Sequence, residues 1–116
     1  MKKVVLLLMV FCSSILFAQN KKFETEYKQK GELVEVTIYY EDGKIKEKGY
    51  YKNKKLHGEW NKFDKDGVKI TKAFYTNGKK TGTWIFLSEG KLIEFVYEEH
   101  RIAVVTELKN GHVAIK

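Results

Sequence analysis

Short runs of β-branched and aromatic residues alternate with turn-forming dipeptides along most of the chain. The apolar runs predict strands near residues 33–40, 44–52, 57–64, 68–76, 81–87, 91–98 and 101–108. The dipeptides between them are Asp42-Gly43, Asn53-Lys54, Asp66-Gly67, Asn77-Gly78, Glu89-Gly90 and Glu99-His100. Because these connections leave no room for a crossover helix, neighbouring strands must be antiparallel. The pattern predicts an all-β, antiparallel β-meander.

The same stretch offers no alternative helical pattern. Beyond residue 19, no window has helically spaced apolar residues over three turns without a glycine or a turn dipeptide. Period-two alternation is clear in places, but Ile45 corresponds to Lys69 in the repeat described below, whereas Lys46 corresponds to Ile70. Either a bulge shifts one copy, or the sheet buries both faces in part.

The stretch 50–63 returns 24 residues later as the stretch 74–87. The matched pairs are Tyr50 with Phe74, Tyr51 with Tyr75, Asn53 with Asn77, Lys55 with Lys79, Gly58 with Gly82 and Trp60 with Trp84. A fixed period of this length is typical of repeat proteins. Each copy has the composition of a hairpin, since Asn-Gly and related dipeptides supply the positive φ angles of a tight turn. We therefore expect one elongated sheet of tandem hairpins.

A small set of aromatic residues and glycines is predicted to anchor each copy. These residues are Tyr51, Gly58, Trp60, Phe63, Tyr75, Gly82, Trp84 and Phe86. Burying an indole of roughly 200 Å² at about 25 cal/mol per Å² contributes on the order of 5 kcal/mol before entropy is counted. At Gly58 and Gly82 the missing Cβ would allow a bulge, or let the indole lie flat against the backbone.

The N-terminal segment has the pattern of an export signal. Lys2 and Lys3 precede an apolar run, and Ala18 provides a small residue for cleavage, so residues 1–18 are predicted to be a cleaved signal-peptide helix. This predicts a periplasmic or secreted protein. Cys12 could instead be lipidated, but Phe11 precedes it where lipoproteins have a small residue, which disfavours that alternative. Cleavage would remove the only cysteine, so no disulfide would form.

The rest of the chain divides by composition. Residues 19–31 form a polar leader, interpreted as a loose segment or a frayed first strand and expected to be the least ordered region. Residues 32–116 form the β-repeat domain. The apolar run Ile102–Val105 is interpreted as a closing strand, and Asn110-Gly111 as a turn into a short last strand, His112–Ile115.

The chain has 22 Lys and Arg against 15 Asp and Glu, a formal charge of +7, and many of the lysines interleave with tyrosines across the repeats. The residues of the predicted partner surface are Tyr50, Lys52, Lys54, Lys55, Lys79 and Lys80. Such a surface could bind an acidic protein, a glycan or anionic lipid, whereas the export signal disfavours nucleic acid. The simpler interpretation is that lysines on exposed strands keep the sheet soluble and protect its edges.

No residue pattern predicts catalysis, a metal or a cofactor. The three histidines, His57, His100 and His112, are not spaced as ligands. Asp64-Lys65-Asp66-Gly67 has the start of a calcium loop but lacks the bidentate glutamate, so it is interpreted as a hairpin turn. Neither a nucleophile with a base nor a phosphate-binding loop is found. The sequence predicts a non-enzymatic protein.

The repeat unit resembles the MORN-repeat variant of the YwqK family of antitoxins, over about residues 31–100. The resemblance is carried by Gly43-Lys44, Tyr51, Asn53, Lys55, His57-Gly58, Trp60, Phe63, Asp66-Gly67, Tyr75, Asn77-Gly78-Lys79, Gly82, Trp84, Phe86 and Glu89-Gly90-Lys91. Lys54 stands where the motif has glycine, and a third copy at Tyr97 lacks the Asn-Gly and Gly-x-Trp elements.

The resemblance implies an elongated β-meander without catalytic residues. By family label it also implies the neutralisation of a toxin, and with an export signal that toxin would have to act in the envelope, as for an immunity protein. The sequence therefore supports three hypotheses: a binding or scaffolding module for a protein partner in the envelope, an antitoxin or immunity protein, and a binder of envelope glycan or anionic lipid. The oligomeric state is left open.

Overall fold

Every regular element in the computed structural model, which describes residues 23–108 and 114–116, is a β-strand. The strands are β1 Glu26–Lys30, β2 Leu33–Tyr39, β3 Ile45–Lys52, β4 Lys55–Leu56, β5 Gly58–Phe63, β6 Lys69–Thr76, β7 Lys79–Lys80, β8 Gly82–Ser88, β9 Lys91–Glu98 and β10 Arg101–Leu108. All ten belong to one sheet. The prediction of an all-β fold is confirmed. Within these ranges there is no helix that could cross a membrane.

The sheet is an open antiparallel meander. Its strands lie in the order β1-β2-β3-β5-β6-β8-β9-β10, while the two-residue strands β4 and β7 extend the pairing of β3 and β6. Each full strand therefore pairs with the preceding and following full strands of the chain. The strands β1 and β10 form the two edges, and no strand of the described ranges forms a second sheet against this one.

Left-handed backbone at four hairpin turns fixes where the chain reverses. The φ angles are 49° and 64° at Asn53-Lys54, 49° and 82° at Asn77-Gly78, 51° and 73° at Glu89-Gly90, and 48° and 73° at Glu99-His100. Positive φ at both central residues matches the right-handed twist of the flanking strands. The turns predicted at these dipeptides are confirmed, and the non-glycine residues in them have an unfavourable backbone conformation.

Replacing Lys54 by glycine is expected to stabilise the protein by about 1 kcal/mol, because Lys54 has a φ of 64°. The equivalent position of the next copy is Gly78, which has a φ of 82°. Urea denaturation followed by tryptophan fluorescence measures the change. The matched control is Lys55→Gly, which removes the same charge from a strand position and should destabilise the protein. Equal changes in the free energy of unfolding for the two variants would contradict the conclusion that the left-handed backbone of Lys54 destabilises the protein.

A change of register follows each of the two predicted anchor glycines. Between the pairs Tyr51–Leu56 and Lys48–Asn61, β3 advances by three residues and the opposite chain by five. The extra residues lie at Gly58, whose φ is 83°, and the same shift occurs at Gly82, whose φ is 70°. Two roles were predicted for these glycines, a bulge or a surface on which the indole lies flat. The structure shows the first, an irregularity in the strand.

A bulge occurs at the same position of both copies. Tyr39 pairs with Ile45 but Ile38 pairs with Glu47, which leaves Lys46 without an opposite residue. In the second copy, Phe63 pairs with Lys69 and Lys62 with Thr71, so Ile70 is the extra residue. The extra residue shifts the alternation within each strand, but because both copies contain it, the alternative of a bulge that shifts only one copy is wrong.

Both ends of the described chain differ from expectation. In the leader 19–31, Glu26–Lys30 is a regular strand paired with β2 along its whole length, so the loose-segment alternative is wrong for these residues. In the predicted last strand, Ala114 and Ile115 are not in a strand; Ile115 is instead buried, and the Lys72 Nζ donates to the Lys116 backbone oxygen at 3.2 Å. The signal peptide at 1–18, with Cys12, and His112 lie outside the described residues.

Candidate functional site

One face of the sheet, which we call the aromatic face, contains the hydrophobic core. Opposite residues of antiparallel neighbours lie on the same face, and this places Val36, Trp60, Ala73, Trp84 and Tyr97 together. Partly buried residues packed against them are Ile38, Tyr51, Leu56, Tyr75, Phe86 and Phe95. The core therefore forms a band across the sheet.

The rings of the aromatic face contact one another along this band. Tyr51 meets Trp60 at 5.8 Å between centroids, and Tyr75 meets Trp84 at 5.1 Å, so both copies have the same T-shaped pair. Trp84 also contacts Tyr97 at 5.0 Å. The cluster continues to Phe86 and Phe95, which meet each other at 5.3 Å. Trp84 is therefore the centre of the larger cluster, which lies in the C-terminal half of the sheet.

The two indoles have different polar partners. The Trp60 Nε1 donates to the Glu47 carboxylate at 3.1 Å, and its ring lies against Gly49. The Trp84 Nε1 donates to the backbone oxygens of Phe74 and Thr81, at 2.9 and 3.2 Å. The residue that matches Gly49 in the second copy is Ala73, whose Cβ excludes a ring from that space. The expectation that Gly58 would provide the flat surface for an indole is wrong, since Gly49 provides it.

A lysine covers part of the larger aromatic cluster. The Lys80 Nζ lies 5.0 Å from the centroid of a Trp84 ring and 5.2 Å from that of Tyr97. This geometry is a cation–π interaction. In the first copy, the matching residue is Leu56, which packs against the core. The aromatic face is thus apolar at one copy and cationic at the other.

Alkaline pH is expected to destabilise the protein partly through Tyr75. Burial, followed by the nearby charge of Glu47, raises the pKa of Tyr75 above its ordinary value of 10.0. The folded state therefore holds the phenol proton more tightly, and this stabilisation is complete below about pH 10 and lost as the pH rises further. Urea midpoints measured from about pH 8 to 11 should fall less steeply with pH for Tyr75→Phe than for the unchanged protein. Identical slopes for both proteins would contradict this.

The opposite face, which we call the polar face, is held by ion pairs on its N-terminal half. The buried Glu35 carboxylate lies 3.8 Å from the Lys30 Nζ and 3.8 Å from the Lys48 Nζ, and accepts a hydrogen bond from the Tyr50 hydroxyl at 3.3 Å. Burial and the Glu35 charge raise the pKa of Tyr50 above its ordinary value. These side chains are paired with one another, which leaves them little capacity for a ligand.

The predicted anchors lie mostly in one cluster. Tyr51, Trp60, Tyr75, Trp84 and Phe86 all belong to the aromatic face. Phe63 does not: its backbone oxygen accepts from the Tyr40 hydroxyl at 2.7 Å, and the Lys69 Nζ lies 5.9 Å from its ring. It packs next to the bulge instead of in the core.

The predicted partner surface does not form one patch. Tyr50 and Lys52 lie on the polar face and bind Glu35 and Glu32, whereas Lys80 lies on the aromatic face. The remaining three, Lys54, Lys55 and Lys79, are exposed. They are close to one another because the Gly78 N–H donates to the Leu56 oxygen at 2.8 Å, which joins the tips of two hairpins. We call these three residues the tip lysines.

The histidines support the same row of tips. The His57 Nδ1 accepts from the Asn77 N–H, and the His100 Nδ1 accepts from the Lys80 N–H, both at 3.2 Å. The His100 N–H in turn donates to the Lys80 oxygen at 3.1 Å. Each imidazole therefore connects one hairpin tip to the next, and three successive tips form a continuous row.

No described group of side chains has the geometry of a metal or catalytic centre. Among residues 23–108 and 114–116, there is no group of three His, Cys, Asp or Glu residues that could hold a metal ion. Asp64 Oδ1 accepts from the N–H groups of Asp66 and Val68, so it is committed to its own turn. An open cleft of about 520 Å³ lies near the β2–β3 turn, lined by Tyr39, Tyr40, Glu41, Asp42, Lys46 and Lys65.

Comparison with protein-family models, with curated proteins and with solved structures gave no significant match to this chain.

Proposed function

We propose that this protein is an exported, non-catalytic repeat protein that binds a protein partner in the cell envelope. Its tandem hairpins would form a MORN-like scaffold, as the sequence resemblance implies. The observation that supports this is the aromatic face, a band of partly buried rings with no second sheet over it in the described ranges and with the tip lysines beside it. Partly exposed tyrosines next to cations are typical of protein-binding surfaces.

The rigidity of the hairpin tips favours binding. The bonds from Gly78 to Leu56 and from His100 to Lys80 fix the tips relative to one another. A surface that is ordered before binding loses little conformational entropy when the partner arrives. The exposed charge of Lys54, Lys55 and Lys79 would select a partner with an acidic patch and steer its approach.

The test is capture of a partner from a solubilised envelope fraction by the immobilised protein and by two charge-reversed variants. The first variant replaces the tip lysines by glutamate: Lys54→Glu, Lys55→Glu and Lys79→Glu. The second makes the same change in charge at three exposed lysines at the opposite ends of the strands: Lys44→Glu, Lys46→Glu and Lys65→Glu. We expect one envelope protein to be captured, with at least about tenfold less on the first variant and little change on the second.

Two results would contradict the proposal. One is equal capture on both variants, or no capture while circular dichroism shows the fold intact. The other is binding to anionic vesicles, in the absence of protein, that weakens as salt is raised and is lost with the tip lysines. That second result would assign the surface to lipid headgroups instead of a protein.

A further inference from the structure

Residues 114–116, which we call the tail, lie against the polar face of the sheet. The Lys72 Nζ donates to the Lys116 backbone oxygen at 3.2 Å. Lys72 adjoins Ala73 along β6, and since Ala73 belongs to the aromatic face, Lys72 points to the polar face. Ile115, next to Lys116, is only 9% exposed. Among the described residues, the buried cluster of the aromatic face does not include Ile115, which is therefore buried on the polar face.

Beside the tail, the polar face carries a group of apolar side chains. Side chains alternate between faces along a strand, so the neighbours of the aromatic-face residues in β6, β8 and β9 point to the polar face. Ile85 is one of these neighbours and lies directly opposite Lys72. All members of the group are half-buried, although no second sheet covers them in the described ranges. We call the group the apolar patch: Phe74, Ile85, Leu87, Leu92 and Val96.

The tail can reach this patch within its own chain. The strand β10 lies three strands from β6 in the sheet order. At about 4.8 Å between neighbouring strands, this separation is about 14 Å. The seven residues from Leu108 to Ile115 can span up to about 24 Å. No second copy is needed to supply the tail.

The attachment of the tail is small compared with that of a strand. Ala114 and Lys116 are exposed, and residues 114–116 form no strand. Within the described ranges, the tail is held by the burial of Ile115 and by the hydrogen bond from Lys72. The strand β10, in contrast, pairs with β9 at seven positions. Segments with so few contacts open locally while the rest of a protein stays folded.

We propose that the tail is a releasable strap, which covers the apolar patch in most molecules and detaches while the sheet remains folded. A small attachment of this kind leaves about 0.1–10% of the molecules open. The strap is distinct from the proposed partner surface, because it lies on the face opposite the aromatic rings. Any ligand of the patch must first displace Ile115, so the tail acts as an internal competitor that lowers the apparent affinity of that ligand.

Thiol labelling tests whether the tail opens on its own. The variant Ile115→Cys, made in a Cys12→Ser chain so that it contains one thiol, is reacted with iodoacetamide at urea concentrations below the unfolding midpoint. Local opening exposes little surface, so we expect the labelling rate to change less than about twofold per molar urea. The matched control is Thr71→Cys, at a strand residue that is 8% exposed. Its rate should rise at least about fivefold per molar, because exposure there requires unfolding of the sheet.

Three results would overturn the proposal. If the Ile115→Cys thiol reacts as fast as in urea-unfolded protein, the strap is not closed. If its rate depends on urea as steeply as that of Thr71→Cys, the strap is not releasable. Sedimentation equilibrium at the labelling concentration covers the third case, a dimer whose dilution removes the protection, which would place the tail on a second copy.

Two further pairs of variants test how the strap is held and what it covers. In the Ile115→Cys chain, Lys72→Met should speed labelling at least about threefold, because the bond to the tail is lost. The control Glu59→Gln removes a carboxylate 3.3 Å from the same Nζ, leaves that bond in place and should change the rate less. A hydrophobic dye should bind Ile115→Asp, which releases the strap, more than Ala114→Asp at the exposed neighbouring position. Equal rates in the first pair, or equal dye binding in the second, would overturn the proposal.

Discussion

Replacing Trp84 by alanine is expected to lower the free energy of unfolding by about 3–5 kcal/mol, the largest loss for any single residue of the sheet. Trp84 is 6% exposed and contacts Tyr75, Phe86 and Tyr97. Its removal also leaves the Lys80 ammonium without one of its two rings. With a total stability of about 5–15 kcal/mol, such a loss brings the protein close to unfolding.

Urea denaturation at neutral pH, followed by circular dichroism, measures this effect. The control is Phe23→Ala, which removes an aromatic ring that is 56% exposed and should cost less than about 1 kcal/mol. Trp84→Phe is an intermediate case, since it keeps part of the ring contacts and loses the hydrogen bonds to Phe74 and Thr81. A Trp84→Ala loss no greater than that of the control would show that the cluster is not the core.

Replacing Gly49 by alanine is expected to destabilise the protein by about 1–3 kcal/mol, although it adds one methyl group. A Cβ at this position would lie 1.8 Å from the Trp60 Cε3. The indole would have to move, and its hydrogen bond to Glu47 would be strained or lost. The backbone of Gly49 is not in the left-handed region, so the effect would come from the lost space alone.

A double-mutant cycle isolates that contact. In a Trp60→Leu background, the smaller side chain leaves room for the added methyl, and Gly49→Ala should then cost less than about 0.5 kcal/mol. The reference is the Gly49→Ala cost with Trp60 in place, measured by the same urea titration. Equal costs in the two backgrounds would mean that Trp60 does not occupy the space above Gly49.

The fold could be predicted from the sequence because its signals are local. Turn dipeptides such as Asn77-Gly78 and Glu89-Gly90 select the hairpin geometry by backbone sterics alone. Each connection is so short that only the next strand can pair, so no long-range information was needed. The bulges at Lys46 and Ile70 had no sequence signal of their own, since a bulge is defined by the opposite strand.

The candidate site was less predictable because it depends on which face each side chain occupies. Tyr50 and Lys80 both matched a pattern of interleaved tyrosine and lysine, yet they lie on opposite faces. Lys80 pairs with Tyr75, which matches Tyr51 of the first copy, and Tyr50 is the neighbour of Tyr51 along β3 and so points to the other face. Composition does not contain this register. The role of Gly49 could have been suspected, since the repeat has glycine in one copy and alanine in the next.

The consecutive pairing of the strands has a mechanical consequence. If the two edges of the sheet were pulled apart, every strand pair would carry the whole load, and the pairs would separate one after another, the weakest first. A crossover would spread the same load over several strands at once. The molecule should therefore yield at low force, in steps of one hairpin, and an optical-trap trace would show extension increments set by the repeat length.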